Sequence, residues 1–261
     1  MHKKLPNLFN FTFTNNLFIY ITMIYSYKTY NIDYDYNFNN KPNTILFLHG
    51  WKGNKNSFIS CIKFFNHQFN TITISLPPYN NSIIPLTLED YKNIVYNILK
   101  LLNLNKVIII CHSFGLRVTL ILATTDIIIE KVIITGGAGI KLKVNFFKKI
   151  SQQFRQIFLR NNPEYYPQIA SKDYKELSAV DKVTFKNIVN VDLTENIKLL
   201  KCPVLLFWGK KDTSTNVRTI KIFQKLHPCC SVKILKNGTH FCYLEYSQLF
   251  IDCCNNFINQ K

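Results

Sequence analysis

The chain has no internal period of 20–50 residues and no heptad run, which excludes solenoids and coiled coils. It lacks a P-loop, and Gly136-Gly-Ala-Gly139 does not have the spacing of a dinucleotide fingerprint. None of its eight cysteines forms a Cys-x-x-Cys pair, and no His-x-x-x-His pair occurs, so a metal centre has no ligand spacing to rest on. No cofactor is expected. Acidic residues are also few, 15 against 32 Lys and Arg, for a net charge of +17. Alanine, glycine and proline are scarce too, whereas Lys, Asn, Ile, Tyr and Phe abound in loops and strands alike. An AT-rich genome's codon composition produces such a bias. A nucleic-acid binder would gather its charge on one stripe or helix. The densest stretch here (Lys141, Lys143, Lys148, Lys149, Arg155 and Arg160) is only moderately dense and reads as a solvated surface.

What is present is core. Hydrophobic residues make up 47% of 261 positions and charged residues 18%, enough for one sizeable α/β domain with a modest insertion. A core of that size needs no disulfide staples, and the neighbouring pairs Cys229-Cys230 and Cys253-Cys254 suit neither a zinc knuckle nor an ordinary disulfide. Free thiols in a reducing cytoplasm follow. At the N-terminus, Asn7, Asn10, Asn15 and Asn16 interrupt the apolar residues after His2-Lys3-Lys4, without a small-x-small cleavage site. Leu17–Tyr25 is too short to span a bilayer, and stable membrane anchoring is not expected. Met23 is an alternative translation start. Residues 1–22 read as a poorly ordered extension.

Alternation from Tyr25 to Tyr36, with polar residues around Asn31 and Asp33, predicts a hairpin. The apolar runs Thr44–Leu48, Thr71–Leu76, Val107–Ile110, Lys131–Thr135 and Val204–Trp208 read as buried strands, with Ser231–Leu235 a further strand. Helical spacing over Ser57–Phe69, from the capping box Thr87-Leu-Glu-Asp90 to about Leu102, and after Ser113 alternates with them. Such alternation predicts a mainly parallel, eight-stranded α/β sheet flanked by helices. Residues 23–140 and 202–261 would form the core. The interval 141–201, richer in charge, reads as a small helical cap.

Val107–Ile110 runs straight into Cys111-His-Ser-Phe-Gly115, which meets the pattern G-x-S-x-G in part. A serine is a weak nucleophile unless activated, and a tight turn from a buried strand into a helix gives it a base and backbone N–H groups for developing charge. The other reading of Ser113 is an ordinary helix N-cap. Four segments together, over about residues 26–258, resemble the α/β-hydrolase superfamily, in particular its small capped bacterial members with a serine nucleophile. His49-Gly50-Trp51 resembles the loop supplying one oxyanion-hole N–H, and Cys111–Gly115 the nucleophile elbow. Pro203–Asp212 resembles the strand and loop bearing the acid, and Asn237-Gly-Thr-His240 the turn bearing the histidine. Ser171 to Asp192 is similar to the cap of those members.

The resemblance implies the order serine, acid, histidine. Of the six histidines, His2 lies in the extension, His67 on an early helix, and His227 before a proline at a helix end. His112 adjoins the serine and is expected on the other side of the strand, and His49 would hold the oxyanion loop. His240 is left as the base. Some members carry the acid where this chain reads Thr135-Gly-Gly-Ala138, without a carboxylate, which leaves Asp212. The N–H groups of Trp51 and Phe114 would form the oxyanion hole, supported by His49, Gly50, His112 and Gly115. Cys111 and Leu116 depart from the usual elbow, each standing where glycine or another small residue is frequent. The expected reaction is hydrolysis of a carboxylic ester or related acyl compound through an acyl-enzyme on Ser113. The alternatives are acyl transfer or C–C bond hydrolysis with the same triad, or a catalytically silent binding protein. Serine at the elbow argues against the dehalogenases and epoxide hydrolases that the family builds with aspartate. Phe146, Phe147, Phe154, Phe158, Tyr165 and Tyr166 make the cap aromatic, which suits an apolar substrate group or the packing of cap on core.

Overall fold

The computed structural model describes residues 10–11, 21–78, 82–142 and 177–260. In the order β1-β2-β3-β5-β4-β6-β7-β8-β9, nine strands form one sheet. They are β1 (Asn10–Phe11), β2 (Ile21–Tyr27), β3 (Tyr30–Asn37), β4 (Thr44–Leu48), β5 (Asn70–Ile74), β6 (Lys106–His112), β7 (Ile128–Thr135), β8 (Val204–Gly209) and β9 (Ser231–Leu235). The eight expected strands are thus joined by a two-residue strand, β1, which pairs with the start of β2. Pairing is antiparallel from β1 through β3 to β5 and parallel across the rest. The hairpin turns at Lys28-Thr29 rather than at Asn31–Asp33, because β3 uses Ile32 and Tyr34 as its inward-facing residues. Apart from residues 10–11 and 21–22, the N-terminal extension lies outside the described residues.

Helices lie on both faces: α1 (Ile59–Phe65), α2 (Leu88–Leu101), α3 (Phe114–Leu122), α4 (Ala179–Val189), α5 (Thr219–Leu226), α6 (Cys242–Glu245) and α7 (Ser247–Asn259). On one face Tyr91, Ile94 and Ile98 of α2, Leu116 and Leu120 of α3, and Ile220 and Phe223 of α5 pack on the sheet. On the other, Cys61, Ile62 and Phe65 of α1 meet Phe250, Cys254 and Phe257 of α7. All five residues of β4 and of β5 and all six of β8 are buried, as strands covered twice must be. The Thr87–Asp90 capping box opens α2 as its sequence predicts. Helix α1 is shorter than its apolar spacing, since the chain turns over Asn66–Gln68 into β5.

The connection after β4 leads by way of α1 to β5 on one side, and α2 then returns the chain to β6 on the other. Neighbouring loops after β4 and β6 therefore part in opposite directions, which makes the carboxyl edge of the sheet there the switch point at which open α/β sheets bind ligands. Within 141–201, the described residues hold α4 and a 3₁₀ turn, Glu195–Leu199. The expected cap aromatics from Phe146 to Tyr166 lie outside the described residues. Among the described residues no helix is long and apolar enough to cross a membrane.

Candidate active site

Ser113 stands between the end of β6 and the first residue of α3 with φ 48° and ψ −109°. A non-glycine residue there pays on the order of 1–3 kcal/mol of backbone strain, which the surrounding structure must impose. The imposed bonds are visible: the Ser113 N–H donates to the Thr135 carbonyl, while the Ser113 carbonyl accepts the N–H groups of Leu116 and Ala138. Its side chain makes no capping bond to the helix. The N-cap explanation therefore fails. Gly115 makes the turn possible, since a Cβ on it would fall 2.3 Å from the carbonyl oxygen of Leu48. Phe114, as first residue of α3, has an N–H without an intrahelical acceptor.

The two departures from the usual elbow are absorbed by the fold. Cys111 is fully buried, and burial pushes its thiol up to about 12. Leu116 is fully buried too, against Gly137, where a Cβ would stand 2.4 Å from its Cδ2. The glycine missing from α3 is thus supplied by the loop after β7.

Asp212 and His240 meet across two loops that touch backbone to backbone. A Cβ on Gly209, at the end of β8, would lie 2.3 Å from the carbonyl oxygens of both Gly238 and Thr239. Lys210 and Lys211 N–H groups bond the Leu235 and Gly238 carbonyls at 2.8 and 2.9 Å. Thr239 is tied in turn to the Glu245 carboxylate through its N–H and hydroxyl. On this frame His240 Nδ1–H donates to Asp212 Oδ2 at 2.9 Å. The Asp212 side chain is wholly buried, and that of His240 is 12% exposed. Burial pushes the Asp212 carboxyl up, but the bonds from His240 and from the Thr215 N–H and hydroxyl outweigh it and hold the group below its ordinary value. Ser214 and Thr215 N–H groups both donate to Asp212 Oδ1 at 2.8 Å.

The loop after β7 carries no carboxylate, but it shapes the pair. Gly136, at φ +54°, passes so close that a Cβ would lie 3.0 Å from His240 Nδ1 and 3.3 Å from Asp212 Oδ2. His112, on the strand face opposite Cys111, meets this cluster from below. Its ring lies 4.7 Å from that of His240, with Nδ1–H donating to the Thr135 carbonyl at 3.0 Å. Burial lowers the His112 imidazole to about 3. His112 is still in register with Thr135, and alternation holds to the end of β6: Cys111 packs on the α2–α3 side, and His112 lies on the other side against Tyr243, 4.7 Å between rings, where the His240 turn crosses.

His49 holds the loop after β4. Its Nδ1–H donates to the Gly50 carbonyl at 2.6 Å, and its Nε2 accepts the Leu76 N–H at 2.8 Å. Both bonds suit only the neutral ring, and burial lowers its titration to about 4. Gly50 brings this loop onto the elbow: a Cβ there would stand 2.8 Å from His112 Cδ2 and 3.5 Å from Ser113 Cβ. Trp51 follows, with its ring edge-on to Phe114 at 5.6 Å and to Phe185 of α4 at 5.5 Å. The Phe241 ring, half exposed, lies 5.3 Å from His240 and 5.4 Å from His112.

The sequence-derived residues Ser113, His112, Gly50, His49, Asp212 and His240 thus converge on one cluster, as do Trp51, Phe114 and Gly115 through the elbow. Thr215, Gly136 and Phe241 escape a reading by residue type. Gly136 carries a signal, being one of only eight glycines. His67 is an exposed residue in the turn after α1, and His227 ends α5. Among the described residues no group of three or more His, Cys, Asp or Glu could hold a metal ion.

A family model described as the α/β-hydrolase fold matches residues 43–164, a span that includes the elbow and the His49 loop. No protein of curated function matches the chain. A hydrolase from Pseudomonas aeruginosa is similar at 12% identity and a TM-score of 0.69, with 92% of this chain and 98% of that one covered. A structure from the thaumarchaeon Nitrososphaera gargenis, from work on its carboxylesterases, is similar at 16% and 0.68, covering 90% and 97%. An esterase from Exiguobacterium antarcticum gives 15% and 0.66, covering 88% and 96%. At these identities the solved structures speak for the fold alone, and together with the match over residues 43–164 they show an α/β-hydrolase fold.

Proposed function

We propose that the chain is a serine hydrolase that cleaves a carboxylic ester or related acyl compound through an acyl-enzyme on Ser113. The observation that carries this is the 2.9 Å bond from His240 to the buried Asp212, with the His240 ring 4.7 Å from that of His112, the residue before a strained Ser113 that has no capping role. In this reading Ser113 Oγ attacks the acyl carbonyl while His240 Nε2 takes its proton. Asp212 fixes the imidazole tautomer and stabilises the imidazolium. The tetrahedral oxyanion points at the N–H groups of Trp51 and Phe114, each donor lowering the barrier by about 2.7–4 kcal/mol. Collapse breaks the bond to the leaving alcohol, which leaves with the proton from His240. Water, deprotonated by His240, then cleaves the acyl-serine ester, and Ser113 regains its proton.

Trp51, Phe114, Phe185 and Phe241 support an apolar acyl or alcohol group as the part of the substrate nearest the serine, with residues 141–201 as a cap over the core. The esterases among similar structures support the same substrate class. Eight free thiols fit a reducing compartment, and a cytoplasmic location is proposed on that ground. No cofactor, nucleic acid or membrane anchor enters the scheme. A fluorophosphonate probe tests it: labelling of the wild type and its loss in Ser113→Ala and His240→Ala is the expected result. A wild type that takes no label would show a silent member of the fold. Rates across esters of increasing chain length, with and without an alcohol acceptor, then separate hydrolysis from acyl transfer.

A further inference from the structure

Asp212 accepts more bonds than its partnership with His240 requires. Oδ1 takes two backbone N–H groups, and Oδ2 takes His240 and, at 2.7 Å, the Thr215 hydroxyl. That hydroxyl lies 2.9 Å from the Gly136 carbonyl and 3.4 Å from His240 Nδ1. Thr215 is itself fixed: its N–H is held by Asp212, and its carbonyl accepts the buried Trp208 indole N–H at 3.0 Å. We propose that Thr215 is a positioning residue of the Asp212–His240 pair, whose hydroxyl donates to Asp212 Oδ2 and tempers the pull of that carboxylate on the imidazolium of His240.

The hydroxyl has one proton and two acceptors, Asp212 Oδ2 and the Gly136 carbonyl. An ionised carboxylate is the stronger acceptor, and turning the proton to Gly136 would set an oxygen lone pair against Asp212 at 2.7 Å. With Asp212 charged, the proton therefore faces Oδ2. A carboxylate oxygen that already accepts a strong bond is a weaker partner for a second cation. Removing the donor leaves His240 alone on Oδ2, so the imidazolium gains stability and the base is protonated at higher pH.

The other ionisable groups around the imidazole leave this term in view. His112, 4.7 Å away on β6, stays neutral through its burial. On the histidine's own turn, the Cys242 thiol is raised by burial, and Glu245 is committed to Thr239. The inference deepens the hydrolase reading, since it concerns the same pair, yet it can be tested apart from activity.

The experiment follows the His240 imidazole resonance by NMR titration in the full chain, assigned by its absence in His240→Ala. Thr215→Val keeps the shape and loses the donor; Thr215→Ser keeps the donor and loses the methyl group. The expected midpoint rises by roughly half a unit to one unit in Thr215→Val and returns to the wild-type position in Thr215→Ser. A residue that only filled space would give the reverse pattern, with Val like wild type and Ser displaced. An unmoved or lowered midpoint in Thr215→Val, or a Thr215→Ser that follows it, overturns the proposal. Fluorophosphonate labelling rates over the same pH range are measured in parallel, and the acidic limb should move with the midpoint. A wild type that titrates as described but takes no label would overturn the hydrolase reading while leaving the Thr215 assignment standing.

Discussion

Gly136, after β7, and His240, after β9, touch across the end of β8: a Cβ added to Gly136 would lie 3.0 Å from His240 Nδ1. The same atom would stand 3.3 Å from Asp212 Oδ2, and the residue has φ +54°. Backbone and neighbours both demand glycine here. The loop after β7 thus contributes a hollow beside the Asp212–His240 pair.

Gly136→Ala is expected to separate the pair without unfolding the protein. The left-handed conformation costs an alanine about 1 kcal/mol, and the new methyl must displace the imidazole by a few tenths of an ångström. Fluorophosphonate labelling should fall by about 10- to 100-fold, as misplaced catalytic groups do. The melting temperature should drop only slightly. Labelling at the wild-type rate would mean that the hollow is wider than these contacts imply.

Gly115→Ala should fail differently. Its Cβ would meet the backbone oxygen of Leu48 at 2.3 Å, and neither strand nor helix has a flexible group to move aside. Overpacking of this kind costs roughly 1–3 kcal/mol or more. Urea denaturation is the measurement, and an unchanged midpoint would contradict the contact. Cys111→Gly, which restores the usual elbow residue, empties a fully buried position and is expected to destabilise by about 1 kcal/mol without raising the labelling rate.

These cases show why the sequence was legible in some places and silent in others. Buried strands declare themselves as apolar runs, and Ser113, Asp212 and His240 stand where strands end, so fold and cluster could be read together. Leu116 looked like a defect because its compensation, Gly137, lies 21 positions away across a crossover. His112 lies on the face opposite Cys111 as alternation predicts, but that the His240 turn crosses that face is not written in the strand. Thr215 belongs to the run Asp212-Thr-Ser-Thr215, in which any hydroxyl could bond the carboxylate and only the fold selects one. The β2–β3 turn was set by which tyrosines and isoleucines face inward, a matter of register that polar residues in either strand obscure.

Arg117 joins α3 to α4. It is 9% exposed, and its Nη1 donates to the Ile188 and Val191 carbonyls at 2.8 and 2.9 Å. The C-terminal carbonyls of α4 are thus capped by a cation, where the helix dipole favours one. Burial lowers its guanidinium to about 10, which still leaves it charged at neutral pH. Arg117→Met should cost about 1.5–3 kcal/mol through those carbonyls. Hydrogen exchange should quicken in Ala179–Val189 first, while α2 and β6 keep their protection. Uniform loss of protection would mean that Arg117 stabilises the whole core rather than α4.

Acid should unfold the protein earlier than its carboxylates alone would require. His49 titrates at about 4 and His112 at about 3, against an ordinary 6.5, because both are buried as neutral rings. Between those values and 6.5 the unfolded chain binds protons that the folded one refuses. Their contribution to stability is therefore complete above pH 6.5 and is lost as the pH falls, for His49 down to about 4 and for His112 down to about 3. At its limit His49 is worth on the order of 3 kcal/mol and His112 on the order of 5 kcal/mol. Asp212, held below its ordinary value, adds a loss of the same sign at lower pH still. Urea midpoints measured from pH 7 to pH 4 should fall steadily, and His49→Gln, though less stable at neutral pH, should show a shallower slope. An equal slope in that variant would mean that His49 accepts a proton in the folded state and gives up its bond from Leu76.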